Sequence, residues 1–127
     1  MFEVDKYLSK RFNLQNYNCW HFVRDVWFEL TGDMLYDYSP PKATRTNMWL
    51  AATDAQCCFQ ERNLNATEKA RGTFIVLMQR SGDTPHIGVL YEGKVLHLRP
   101  EGVVYQPLDV ASMGFSRIIF YTTKSKS

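Results

Sequence analysis

The sequence predicts an α+β domain, helices in the first half and a meandering antiparallel sheet in the second, on two observations. From Cys19 onward apolar residues recur at three- and four-residue spacing, the period of an amphipathic helix. From residue 73 onward, short runs rich in Val, Ile, Phe, Tyr and Thr are separated by Gly, Asp or Pro. Helices followed by strands, rather than alternating with them, exclude a parallel α/β architecture. A length of 127 residues suits one domain able to bury its own core, so 1–127 is read as a single unit with 124–127 as a frayed end.

Residues 3–12 predict a short helix, with Val4, Tyr7 and Leu8 on one side and Glu3, Asp5, Lys6 and Lys10 on the other. A polar link, Asn13 to Asn16, leads to the next helix, which opens at Asn18, a good N-cap residue. Its apolar face is Val23, Val26, Trp27 and Leu30, its polar face Arg24, Asp25 and Glu29, and Gly32 stops it. The stretch from Gly32 to Lys42, with Ser39-Pro40-Pro41 and two tyrosines, reads as a surface connection of the kind that walls a cleft. A further helix is expected from about Thr44 or Thr46 to about Arg62, with Met48, Ala52, Ala55 and Phe59 sharing a face that Ala51 and Cys58 join. Cys57 and Cys58 are then packing residues. Strands are expected at 73–79, 87–91, 95–99, 103–106 and 117–122.

Composition excludes more than it suggests. An apolar fraction of 45% with eight Phe, seven Tyr and three Trp argues against disorder. A net charge of +2 without like-charge blocks gives no nucleic-acid footprint. The apolar run Phe74 to Met78, which no other run exceeds, is far short of the ~20 residues a membrane helix requires, so no membrane partner is expected. Met1 to Lys6 lacks the pattern of a secretion signal, so synthesis in a cytoplasm is expected. Three cysteines, two adjacent and without CxxC spacing, suit free thiols better than a disulfide framework, and no cofactor is expected. Asn65-Ala66-Thr67 fits the glycosylation pattern and is taken as chance.

Two stretches could carry chemistry. Cys19, in the first turn of its helix, is next to unpaired backbone N–H groups and the positive end of the helix dipole, both of which favour thiolate; the competing reading is a cysteine that fills core space. In Thr84 to Leu98 a hairpin turning at Glu92-Gly93 sets Tyr91 opposite Lys94, Gly88 opposite His97 and His86 opposite Arg99. His86 and His97 then leave the same face as diagonal neighbours, with Cβ atoms ~7 Å apart, and Gly88 leaves room for a ring to lean over. A cysteine peptidase needs an imidazole that takes the thiol proton and a further polar group that holds its tautomer. Cys19, His86 and His97 could fill those roles in that order, and the expected cleft lies between the cysteine helix and the sheet face presenting both histidines. The alternatives are a half-exposed polar surface, or a zinc site from Cys19, His86 and His97. His21, two residues on at ~100° each, turns about 200° from Cys19 and is set aside as base.

Asn18-Cys19-Trp20-His21-Phe22-Val23-Arg24-Asp25-Val26-Trp27, the glycine-led strand Arg71 to Leu77, and HIGVLYEGKVLHL together resemble the NlpC-type cysteine peptidases. This compact papain-like family cuts peptidoglycan stem peptides, and the first motif resembles the variant carried by bacteriophage tail proteins. The resemblance covers roughly residues 14–106. It implies a papain-like fold, Cys19 as nucleophile, His86 as general base and acid, and His97 as the residue orienting His86. Tyr17 or Tyr7 would assist as an oxyanion donor. The implied substrate is a peptide bond in peptidoglycan, such as that between D-glutamate and diaminopimelate, and the implied partners are other phage tail proteins in the virion tail. Two positions depart from the pattern: Asn18 stands where the family commonly has Asp, and Gly72-Thr73 where it has Gly-Asp. The rival functions are a tail-assembly module that keeps the fold for docking, and a papain-like acyltransferase or small-amide amidase.

Overall fold

The computed structural model describes residues 3–11, 19–33, 59–80 and 86–123. Within them the architecture is α+β: a six-stranded antiparallel sheet with helical elements packed on it. The elements are a 3-10 turn (Val4–Tyr7), α1 (Cys19–Thr31), β1 (Phe59–Arg62), α2 (Ala66–Arg71), β2 (Thr73–Gln79), β3 (His86–Tyr91), β4 (Lys94–Arg99), β5 (Gly102–Pro107), α3 (Leu108–Ala111) and β6 (Arg117–Thr123). The order across the sheet is β1-β6-β2-β3-β4-β5, so the last strand returns to the middle and pairs with β1 and β2. No helix among the described residues is long and apolar enough to cross a membrane.

α1 forms as its periodicity predicts and stops where Gly32 stands, the Gly32 N–H closing on the Phe28 carbonyl at 2.8 Å. It buries more of its circumference than one stripe: Trp20 and Phe22 are buried together with Val23, Val26 and Trp27. Trp20 lies seven residues before Trp27 on the stripe itself, and Phe22 is covered by the N-terminal turn. Tyr7 meets the Phe22 ring edge-on at a centroid distance of 5.8 Å and donates to Glu29 Oε2 at 3.0 Å, while Lys6 pairs with Glu29 Oε1. Of the expected helix over 3–12, the described residues 3–11 form only this turn, since most of its flank is exposed.

The five expected strands are β2 to β6, each within a residue or so of its expected ends. Residues 59–62 are a strand and not the close of a helix; the rest of the expected 44–62 helix, with Cys57 and Cys58, lies outside the described residues. β1 and α3 have no counterpart in the sequence reading, and neither has α2. α2 begins with a capping box: Asn65 Oδ1 accepts from the Glu68 N–H at 2.8 Å and Glu68 Oε1 accepts from the Asn65 N–H. The tripeptide set aside as a chance glycosylation pattern is therefore the start of a helix.

The sheet separates two apolar layers. Ile75, Leu77, Ile87, Val89, Leu96 and Leu98 pack with α1 on one face. Phe74, Val76, Met78, Leu90 and Val95 pack with Ala111 and Leu108 of α3 on the other. β2 supplies both layers, which is why its run Phe74 to Met78 is buried without alternation.

Candidate active site

The hairpin geometry is as the sequence predicts. Tyr91 pairs with Lys94, and Glu92 and Gly93, at φ 49° and 84°, form the two-residue turn with both central residues left-handed. That register brings Gly88 against His97 so closely that a Cβ on Gly88 would lie 2.9 Å from the His97 Cβ. Only glycine fits there. His86 and His97 are then joined by a hydrogen bond of 2.8 Å between His86 Nε2 and His97 Nδ1, their rings edge-on at 4.9 Å.

His97 is 2% exposed, and its second nitrogen, Nε2, meets Gln106 Oε1 of β5 at 3.1 Å. Gln106 pairs with Val95, so the three side chains form a row running from β3 across β4 to β5. Sequence reasoning missed Gln106. The signal that could have found it was alternation along residues 103–106, which sets Gln106 on the face of Val104, the residue opposite His97.

Burial is the first cause of the electrostatics here. It pushes the His86 imidazole down to about 3, helped by the neighbouring His97 and by the Arg99 guanidinium. It also lowers His97, against the raising effect of the Gln106 bond and with the lowering effect of Arg99. Both rings are therefore neutral at pH 7.

Cys19 begins α1 and is half-buried. The backbone N–H groups of Ile87, Cys19 and Trp20 face its sulfur and favour thiolate, as expected of a helix start, yet loss of solvation outweighs them and raises the thiol above its ordinary value. Burial thus acts against the thiolate that the helix start by itself favours. Ile87 follows His86 directly, and a sulfur within hydrogen-bond range of the Ile87 nitrogen is within about 6 Å of the His86 Cα.

The expected cleft is corrected as well. Strand alternation places His86, His97 and Gln106 on the face of Met78 and Val95, whereas α1 packs on the face of Ile87 and Leu96. The helix start and the imidazole row approach one another at the beginning of β3, not across the sheet face.

Tyr7 is tied to Glu29, ten residues along α1 from Cys19 and so about 15 Å down the helix, which removes it as an oxyanion donor. Tyr17 and Asn18 lie outside the described residues. Among the described residues no group of three or more His, Cys, Asp or Glu side chains is placed to hold a metal ion. No protein-family model, no curated protein and no solved structure matches the chain.

Proposed function

We propose that the chain is a cysteine peptidase-like amide hydrolase with Cys19 as nucleophile, His86 as general base and acid, and His97 as the group orienting His86. The observation that carries this reading is the hydrogen-bonded pair His86–His97 at the beginning of β3, where the Ile87 N–H faces the Cys19 sulfur. With the His86 Nε2 engaged by His97, its Nδ1 is the nitrogen left to exchange a proton with the thiol.

Because thiol and imidazole are both neutral at rest, proton transfer accompanies attack. The Cys19 proton passes to His86 Nδ1 while the sulfur bonds to the amide carbon, and the Cys19 backbone N–H at the helix start stabilises the oxyanion. His86 then gives that proton to the departing amine, leaving a thioester. Water attacks the thioester with His86 again as base, and the acid and the thiol are released.

The substrate comes from the resemblance alone: a peptide bond in peptidoglycan stem peptides, with the D-glutamate to diaminopimelate bond as the first candidate and the virion tail as the setting. Incubation with purified wall fragments should release new amino termini, and Cys19→Ala should release none while keeping the wild-type circular dichroism spectrum. Equal release by both proteins would remove the reading.

One observation favours a second reading, that of a tail-assembly module. The thiol is desolvated and α1 packs on the sheet face away from the imidazoles. Under that reading phage carrying Cys19→Ala assemble and infect normally, and under the hydrolase reading infection falls.

A further inference from the structure

Gln106 stands at the far end of the imidazole row, outside the residues assigned a catalytic role. Its Oε1 faces His97 Nε2 at 3.1 Å. An amide oxygen only accepts, so that nitrogen bears the hydrogen. A neutral imidazole has one N–H, which leaves His97 Nδ1 as a lone pair. This lone pair is 2.8 Å from His86 Nε2, so His86 Nε2 is the donor and His86 Nδ1 is bare. Two rings in series thus transmit one choice made at the edge strand. With the amide turned the other way, its NH2 would donate to His97 Nε2, His97 Nδ1 would become the donor, and His86 would present an N–H where the thiol needs a base.

We infer that Gln106 is a positioning residue: its carbonyl oxygen selects the Nε2–H tautomer of His97 and, through it, of His86, and so leaves His86 Nδ1 free to accept the Cys19 proton. The purpose of this device rests on the hydrolase reading; the tautomer assignment does not. Gln106 is half-buried on an edge strand and touches the nucleophile only through two rings. Its effect is therefore on which nitrogen holds a proton and not on where the thiol stands.

The test is a long-range proton–nitrogen spectrum of the 15N-labelled full chain near pH 7, which reads the tautomer of each of its three imidazoles directly. Alkylation of Cys19 by iodoacetamide across pH gives the chemical readout. The wild type should show Nε2–H on both His86 and His97. Gln106→Leu should populate Nδ1–H on both rings and slow alkylation near neutrality in proportion to the Nε2–H fraction lost, about twofold where the two tautomers become equal, whereas Gln106→Glu, which can only accept, should restore both tautomers. Gln106→Met serves if the leucine variant does not fold.

An Nδ1–H tautomer on His86 in the wild type overturns the inference, as do tautomers unchanged in Gln106→Leu and Gln106→Met. If the tautomers follow Gln106 as described but His86→Ala leaves the alkylation profile untouched, the hydrolase reading fails and the role of Gln106 in setting the tautomers stands.

Discussion

At the residue scale, the site depends on an absence of atoms. His97 can stand against β3 only because Gly88 has no side chain; a methyl group there would also meet the Leu96 carbonyl oxygen and Val95 Cγ1, each at 3.1 Å. Backbone and a packed core side chain yield little, so Gly88→Ala should cost about 1–3 kcal/mol in chemical denaturation. It should also disturb the His86–His97 bond, seen as altered imidazole resonances. His86 was legible because a two-residue turn fixes register, and a register fixes which side chains are neighbours. Gln106 was missed although Pro100-Glu101-Gly102 marks a turn between β4 and β5, because the register across that turn, Arg99 opposite Gly102, became apparent only once the strands were paired. The balance of effects on the Cys19 thiol was hidden for a related reason. The helix-start N–H groups are a local feature, whereas the burial that outweighs them arises in a core that α1 shares with strands far along the chain. For His86→Ala, alkylation of Cys19 at pH 7 should slow by about tenfold or more, general-base assistance being typically worth 10²–10⁴.

At the element scale, α1 and the β3–β4 hairpin each followed their own sequence signals, whereas the short elements did not. α2 is six residues long and buries none of them, so its capping box is the main local interaction holding its start. Asn65→Ala should therefore cost about 1 kcal/mol and lower the melting temperature by roughly 4 °C, measured by calorimetry. The N-terminal turn is the opposite case: its sequence suggests a helix, but Tyr7 is claimed by Phe22 and Glu29 of α1. In Tyr7→Phe the ring contact survives and the hydrogen bond to a carboxylate is lost, for an expected cost of about 1.5–3 kcal/mol, that of a hydrogen bond to a charged group. β1 was read as the close of a helix because Phe59 continues the spacing of Met48, Ala52 and Ala55; pairing with β6 makes residues 59–62 a strand.

At the scale of the whole molecule, burying two imidazoles and a thiol shapes stability against pH. The folded His86 and His97 take up protons less readily than the unfolded chain, whose imidazoles titrate near 6.5. Below that pH the unfolded state binds more protons, so stability is fully present above about 6.5 and falls as the pH drops toward 3. Each histidine adds a slope of at most about 1.4 kcal/mol per pH unit. Cys19 acts with the opposite sign: its raised value means stability is lost as the pH rises through the ordinary thiol range near 9. Urea midpoints should therefore peak between about pH 7 and 9, and His86→Gln should flatten the acid limb. By itself the sequence determined the α+β class, the span of α1, five strands and the meeting of His86 with His97. Each follows from periodicity or turn geometry, which act within a few residues. Only the tertiary structure decided that β6 returns between β1 and β2, that the imidazole row lies on the face away from α1, and that Gln106 completes the row. Those outcomes depend on which strands pair and which face a helix covers, and a chain of side-chain periods is the same whichever way its sheet is covered.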